Sequence, residues 1–307
     1  MGTGAGRLTF VSIIIGAILV LAGCSPAVPY KSLRLSEVEA SSPVETPSGL
    51  LLRVAVASVI SPKSTVASYS DLVSYLGRKM GRPAELVQRG TYGETNDLVR
   101  RGMVDLALVC SGAYVEGRRE FGMELLVAPQ AKGETVYYSH IIVPKDSPIQ
   151  ALAQLRGKVF AFADPLSNTG YFSPLYALRT MGERPDTFFQ RTIFTYSHDN
   201  SIKAVADGLV DGAAVDSLVH DHALAREPSL GDRLRIVYRS APYGIPPVVV
   251  GAGVDPALKS RLRAILLEMH EDPEGGKILA DLMVDKFVLI DDSAYDSVRQ
   301  TVLAAKK

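Results

Sequence analysis

The chain has 307 residues and a formal net charge of zero, with 33 lysines and arginines against 33 aspartates and glutamates. Nucleic-acid-binding proteins usually carry a basic excess on one face, and no basic run occurs in this sequence. The balance of charge therefore argues against a nucleic-acid partner.

The first 23 residues have the pattern of an export signal. Arg7 precedes an apolar run over residues 8–21, and the tetrapeptide at 21–24 reads Leu-Ala-Gly-Cys. Small residues ahead of a cysteine are typical of lipoproteins, which are cleaved before the cysteine once its thiol carries lipid. A transmembrane anchor, the alternative, needs about 20 apolar residues. We therefore expect an extracytoplasmic protein anchored to the membrane through lipid on Cys24.

Only one other cysteine, Cys110, is present, so the mature chain has no pair for a disulfide. No basic or metal-ligand residues surround it in the sequence, and a buried position in the core or a pocket wall is expected. Residues 24–49 are rich in proline and serine with few large apolar groups, which predicts a flexible tether.

Strand-like and helix-like segments alternate after residue 50. Strands are predicted at 51–57, 84–88, 105–109, 158–163, 192–196, 212–216 and 236–238, and helices at 66–80, 93–102, 171–181, 200–208 and 218–225. This alternation predicts an α/β fold in which each of two lobes has a mainly parallel sheet flanked by helices.

Two extended runs, at 135–143 and 248–250, would cross between these lobes and leave a cleft. The first lobe is predicted to comprise residues 50–143 and 245–307, and the second lobe residues 144–244. Helices at 256–270, 273–283 and 293–304 are expected to return to the first lobe.

Polar segments follow several predicted strands. Ligands of open α/β sheets bind beyond the carboxyl ends of the strands, where strand order reverses. Each polar segment also begins a helix, so several positive helix ends would face one cleft and suit an anion. Tyr92 and Ser111 lie in such segments of the first lobe.

The most informative polar segment lies in the second lobe, where a predicted strand meets a predicted helix. Hydroxyl and amide side chains at a helix start can donate to an oxyanion, and a glycine lets backbone approach a ligand. An ordinary N-cap, in which a serine or threonine satisfies only the helix itself, explains the local motif equally well. The segment consists of Ser167, Asn168, Thr169 and Gly170.

Two ionisable residues follow later strands. His198 could donate to an oxyanion or act as an acid or base, although a histidine there could also serve only the local helix start. Asp216 would repel a purely anionic ligand unless the ligand carried an amine or backbone donors held the carboxylate; it could also be a plain helix cap. Tyrosines could wall the cleft or belong to the core. They are Tyr69, Tyr92, Tyr114 and Tyr171, the last being adjacent to Gly170.

Motifs of known enzyme classes do not occur. There is no Gly-x-Ser-x-Gly nucleophile motif, no phosphate-binding loop and no dinucleotide fingerprint. His220 and His222 are two residues apart, so on a helix they point to different sides and make a poor metal pair. We expect neither catalysis nor a cofactor or metal.

The order and spacing of several segments resemble the phosphate, phosphite and phosphonate substrate-binding proteins of ABC transporters, a branch of the type II periplasmic binding proteins. The resemblance covers roughly residues 51–290. It implies a two-lobed fold that closes on its ligand and delivers it to a permease in the cytoplasmic membrane. The segments that carry it are 71–76, 102–107, 111–114, 164–171, 197–199 and 210–212.

The resemblance also implies roles for single residues. In that family a Ser-Thr-Ser-Gly segment and a histidine bind the phosphonate oxygens. Ser167, Thr169, Gly170 and His198 match those positions, whereas Asn168 puts an amide where a hydroxyl is usual. Two aromatic positions of the first lobe correspond to Tyr69 and to the apolar Val109, and Asp216 lies near the position that recognises an amine.

We therefore expect a small anionic ligand, an ABC permease as partner and a monomer. A lipoprotein that uses the same closure to signal to a membrane sensor is the alternative from another class. A permease gene beside the coding region would favour transport, and a sensor-kinase gene would favour signalling.

Overall fold

The computed structural model describes residues 51–306, so the predicted signal, Cys24 and the tether lie outside the described residues. No helix within this range is both long and apolar enough to span a bilayer. The strands are β1 Leu52–Val56, β2 Ala84–Val87, β3 Leu106–Leu108, β4 Glu124–Gln130, β5 Val136–Tyr137, β6 Ser139–Pro144, β7 Val159–Phe162, β8 Arg191–Phe194, β9 Gly212–Asp216, β10 Leu234–Arg239, β11 Tyr243–Gly244, β12 Val248–Val250 and β13 Lys286–Val288.

Helices connect most of these strands, and a π-helical turn, Asn168–Phe172, runs directly into the fourth helix. The helices are α1 Pro62–Met80, α2 Tyr92–Arg100, α3 Ser111–Phe121, α4 Ser173–Thr180, α5 Pro185–Phe188, α6 His198–Ala206, α7 Ser217–Arg226, α8 Leu230–Arg233, α9 Pro256–Glu268, α10 Pro273–Asp281 and α11 Asp296–Lys306.

The strands form two larger sheets. The first has the order β13-β4-β12-β3-β1-β2, and the second has the order β10-β6-β9-β7-β8. We call the first sheet with its helices lobe 1 and the second sheet with its helices lobe 2. Helices flank both sheets, and the predicted two-lobed α/β class is confirmed.

Both sheets are mixed, whereas the sequence predicted mainly parallel ones. The pairs β1–β2, β1–β3, β7–β8 and β7–β9 are parallel. By contrast, β12 is antiparallel to β3 and β4, and β6 is antiparallel to β9 and β10. Each of these two reversed strands enters its sheet from the other lobe without a preceding helix, so no βαβ connection imposes a parallel direction.

The two lobes are joined through a small antiparallel sheet of β5 and β11, in which Tyr137 lies opposite Tyr243. The run 135–143, predicted as one extended segment, is therefore two strands, and β6 already belongs to the second sheet. The chain leaves lobe 1 before Ser139, not at residue 144 as the sequence analysis placed it. A strand bonded into the lobe 2 sheet cannot belong to lobe 1.

The helices that end the chain do not all return to lobe 1. Both α9 and α10 contact α1 of lobe 1, whose buried face includes Leu72 and Leu76. In contrast, α11 contacts α3 of lobe 1 and α4 of lobe 2. The prediction that every terminal helix rejoins lobe 1 is therefore wrong for α11, because its buried face, which includes Val298 and Val302, is shared between the lobes.

Candidate functional site

The segment that the sequence singled out forms a buried turn at the start of α4. Ser167, Asn168 and Thr169 are 0% exposed. The Ser167 hydroxyl accepts a hydrogen bond from the Gly170 N–H at 3.0 Å, so Ser167 does cap its own helix. Within residues 51–306, however, Thr169 Oγ1 and Asn168 Oδ1 have no hydrogen-bond partner. Buried polar groups are nearly always paired, so the Thr169 hydroxyl is available to donate to a ligand, and the Asn168 amide oxygen is available to accept from one.

Gly170 is required by close packing at this turn. A Cβ there would lie 2.5 Å from the Ala163 Cβ and 2.8 Å from the His198 Cε1. Because Gly170 has no side chain, the turn can approach the His198 imidazole. The segment Ser167–Gly170 therefore lies against His198.

His198 begins α6 and is completely buried. Its Nδ1 accepts from the Asp216 N–H at 3.1 Å, and its Nε2 lies 3.3 Å from Ser167 Oγ. Burial lowers the pKa of His198 to about 3, so the ring is neutral. Because Nδ1 is an acceptor, the single proton resides on Nε2, which therefore faces the Ser167 hydroxyl as a donor.

The residue before the α6 cap adopts an unusual backbone conformation. Tyr196 has φ 58°, in the left-handed region that bulky residues rarely enter. Its N–H donates to the Ala163 carbonyl at 2.7 Å, which holds the turn against the end of β7. The Ser197 hydroxyl that follows is buried and has no partner in the described chain. This turn places a second free hydroxyl beside His198.

Asp216 ends β9 and caps α7. Its Oδ1 accepts from the Leu218 N–H at 2.7 Å and the Val219 N–H at 3.4 Å. Burial raises the pKa of Asp216 to about 7, although these two backbone donors oppose the rise. Near neutral pH the carboxyl therefore carries a proton part of the time, which reduces its repulsion of an anion.

Tyr137 connects the site to the small sheet between the lobes. Its hydroxyl lies 2.5 Å from Ser111 Oγ and 3.3 Å from Asn168 Nδ2. The Asn168 N–H donates to Cys110 Sγ at 3.4 Å, and that cysteine is buried as expected. Tyr137 is not among the predicted site residues, because the pattern of residues 135–143 indicates only an extended connector. The signal available was a tyrosine hydroxyl at the predicted crossing between lobes.

The predicted tyrosines have separate positions. Tyr69 lies across the cleft near Asp216, and burial raises its pKa to about 12. Tyr92 is buried, and its N–H donates to Asp164 Oδ2 at 3.0 Å. The structure does not bring the other two to the segment: the Tyr114 hydroxyl donates to Asp292. The half-buried Tyr171 ring packs on Phe162, Phe172 and Phe194 at the edge of the lobe 2 core.

Carboxylates of lobe 2 bind the starts of two helices of lobe 1. Asp199 accepts from the Ser61 N–H at 2.8 Å and from the Ser61 hydroxyl at 2.6 Å, ahead of α1. Asp164 accepts from the Tyr92 N–H, the first residue of α2. The lobes are thus closed on each other around the segment, with positive helix ends matched by negative charge.

Known proteins share this architecture. A curated phosphate-import protein from Mycolicibacterium smegmatis is 28% identical over 57% of this chain, but the match spans only 58% of that relative's length. A phosphonates-binding periplasmic protein from Escherichia coli is 23% identical over 82% of this chain and 76% of its own. A crystal structure from Pseudomonas aeruginosa, of a binding protein component of an ABC phosphonate transporter, has a TM-score of 0.79. It is 24% identical and covers 84% of this chain and 87% of its own.

A family model described as "ABC transporter, phosphonate, periplasmic substrate-binding protein" matches residues 54–295. That range includes both sheets, the crossover strands and every described residue of the site. With well over half of its length matched, the chain belongs to the periplasmic substrate-binding proteins of phosphonate ABC transporters.

Proposed function

We propose that the protein binds a small phosphorus oxyanion, namely a phosphonate, phosphite or phosphate, between its lobes and delivers it to an ABC permease. The observation that supports this most is the buried Thr169 hydroxyl, which has no partner within residues 51–306 and lies at a helix start. The names of the Mycolicibacterium and Pseudomonas relatives, phosphate import and phosphonate transport, agree with such a ligand.

The chemistry of the site suits an oxyanion held by neutral groups. The buried Thr169 hydroxyl and the Asn168 amide lie in the turn at the start of α4, the neutral His198 ring packs against it, and none of these groups carries a charge. Hydrogen bonds from neutral donors in a buried site are strong because the local dielectric is low. Closure of the lobes would add to affinity by excluding water from the bound anion.

We test binding with isothermal titration calorimetry of the full chain in lipid nanodiscs against phosphate, phosphite, methylphosphonate and sulfate. Thr169→Val keeps the side-chain shape but removes the hydroxyl, and a hydrogen bond to a charged ligand is worth a factor of about ten or more in affinity. We expect at least that loss for the phosphorus oxyanion that the wild type binds.

Thr180→Val, an exposed position at the end of α4, is the matched control and should bind like the wild type. An unchanged affinity in Thr169→Val, or equal losses in both variants, would show that the anion is bound elsewhere. No heat with any phosphorus oxyanion in the wild type would reject the proposed ligand class.

Attachment to the membrane is proposed through lipid on Cys24, on the basis of the tetrapeptide at 21–24. In Cys24→Ala the thiol that receives the lipid is gone, so the signal should stay uncleaved. Metabolic labelling with a fatty acid and immunoblotting of membrane fractions check this. A variant that is processed and labelled as the wild type would contradict the anchor. Cys110→Ala is the control, since that thiol is buried and should not affect processing.

A further inference from the structure

An apolar cavity of about 150 Å³ lies between the lobes, next to the segment Ser167–Gly170 but separate from it. Valine, leucine, isoleucine, proline and phenylalanine side chains from β1, β3, β4, β12, β13, α7 and the adjoining loops form most of its wall. Its polar wall residues are Ser68, Tyr69, Asp216 and His222. A dry apolar cavity of this volume in another protein accommodates a benzene molecule. The space therefore fits a hydrocarbon group of about that size.

The cavity and the segment are adjacent through three neighbouring contacts. Asp216 lines the cavity, and its N–H donates to His198 Nδ1 at 3.1 Å. Val59 lines it too, and its carbonyl accepts from the His198 N–H at 2.9 Å. Val109 is a third wall residue, and the next residue, Cys110, accepts from the Asn168 N–H. The wall of the cavity is therefore formed partly by residues that contact His198, so the cavity and the segment are neighbours.

Few polar groups of the wall could recognise a charged substituent: besides Asp216 and Tyr69 they are His222 and the Ser68 hydroxyl, which has no hydrogen-bond partner within the described residues. One oxygen of Asp216 is already bound by two N–H groups of α7, and the Tyr69 side chain stays a neutral phenol. An ammonium group entering here would lose its hydration and meet a single carboxyl that is already engaged as a helix cap. A hydrocarbon group would instead replace water against an apolar wall.

We propose that this cavity binds the hydrocarbon substituent of the ligand, so that the protein prefers organophosphonates with a benzene-sized apolar group over inorganic phosphate and methylphosphonate. The inference rests on the proposed function, because the segment at the start of α4 must hold the phosphonate group. It assigns the second half of the ligand to the apolar wall that includes Val59 and Val109.

Calorimetry of the full chain in lipid nanodiscs compares methylphosphonate, phenylphosphonate and 2-aminoethylphosphonate. We expect phenylphosphonate to bind at least about tenfold more tightly than methylphosphonate, since its added apolar surface is buried. Val109→Phe fills the cavity, so the ratio of these two affinities should fall to about one. Val66→Phe, at an exposed position of α1, is the control and should keep the ratio of the wild type.

If Val109→Phe does not fold, as judged by circular dichroism, Val284→Phe fills the same cavity from a half-buried position. Tighter binding of methylphosphonate or 2-aminoethylphosphonate than of phenylphosphonate would overturn the inference and leave the proposed function intact. So would an unchanged ratio in the folded cavity-filling variant. Absence of binding by all three phosphonates would overturn the inference, and absence of binding by phosphate and phosphite as well would overturn the proposed function.

Discussion

The carboxyl of Asp216 titrates in the neutral range because the fold buries it. It caps α7 through two backbone donors, yet burial dominates and raises its pKa to about 7. The ordinary pKa of an aspartate is about 4. Between these values the folded protein binds a proton at Asp216 that the unfolded chain does not. The stability that this bound proton gives the folded protein is therefore lost as the pH rises from about 4 toward 7.

Asp216→Asn should consequently become more favourable as pH increases. Asparagine is also a good N-cap, and it carries no charge to bury. We expect the melting temperature of the variant, relative to the wild type, to rise by at least about 2 °C between pH 4.5 and pH 8. Differential scanning calorimetry in buffers of matched ionic strength measures this difference, and a pH-independent difference would contradict the raised pKa.

Buried histidines have the opposite dependence, which cancels in that comparison, and burial lowers the pKa of His220 as well. Burial lowers the pKa of His140 to about 4 and that of His198 to about 3, below the ordinary 6.5. The unfolded chain then binds more protons between these values and 6.5, so both histidines make the fold less stable as pH falls. They are present in the wild type and in Asp216→Asn alike.

At the residue scale, the sequence indicated the groups that follow strands and missed those that need distant contacts. Ser167, Thr169, His198 and Asp216 lie at helix starts, which local chemistry identifies. Their roles as ligand contacts stay predictions. Tyr137 reaches Asn168 across 31 residues of sequence. The bonds of Asp164 to the α2 start and of Asp199 to Ser61 cross 72 and 138 residues. No local pattern encodes such pairs.

At the scale of elements, the start of α4 differs from the expected helix. The sequence predicted an α-helix from residue 171, whereas a π-helical turn already begins at Asn168. Turns of this kind are rare and frequently occur at functional sites. The local sequence could not reveal it, because the turn depends on Gly170 fitting between Ala163 and His198.

Gly170→Ala should disturb this turn. The added methyl group would lie 2.5 Å from the Ala163 Cβ, and overpacking of a buried site costs about 1–3 kcal/mol. We expect a lower melting temperature and at least tenfold weaker anion binding, since His198 has to move. Gly253→Ala, where no atom lies within 4 Å, is the control for both measurements. Wild-type affinity in Gly170→Ala would show that this packing does not position the ligand groups.

Whether the other elements could be predicted depended on their composition, their length and their pairing with distant strands. β9 and β12 are buried apolar runs, and their predicted bounds agree with the structure. The sequence indicates a helix start at Ser111 but not the extent of α3, and it does not indicate β4 or β13. α3 contains two glycines and four charged residues in eleven positions, which gives weak periodicity and propensity. β13 has only three residues and depends on pairing with β4.

For the whole molecule, closure depends on close contact between backbones of the two lobes. Gly112, near the start of α3, faces the Leu166 carbonyl and the Asn168 N–H. A Cβ at Gly112 would lie 2.5 Å from that carbonyl oxygen and 2.9 Å from that nitrogen. Backbone atoms cannot rotate away as a side chain can. The two lobes can therefore come this close only because Gly112 has no side chain.

Gly112→Ala should hold the lobes apart. If the closed state becomes a minor one, the apparent affinity falls in proportion to its population, and we expect at least a tenfold loss. Small-angle X-ray scattering at a ligand concentration that just closes the wild type should show a larger radius of gyration for the variant. Gly93→Ala is the control, because its nearest atoms are at an ordinary 3.9 Å. Wild-type scattering and affinity in Gly112→Ala would refute this account of closure.

Tyr137 belongs to the small sheet between the lobes and also lies within hydrogen-bonding distance of Ser111 in lobe 1 and Asn168 in lobe 2. When the lobes separate, those two partners move apart, and one hydroxyl cannot follow both. Every opening event therefore breaks a bond inside the protein in addition to the bonds that hold the ligand. The dwell time of any bound molecule would then depend partly on a hydrogen bond that the molecule itself never makes.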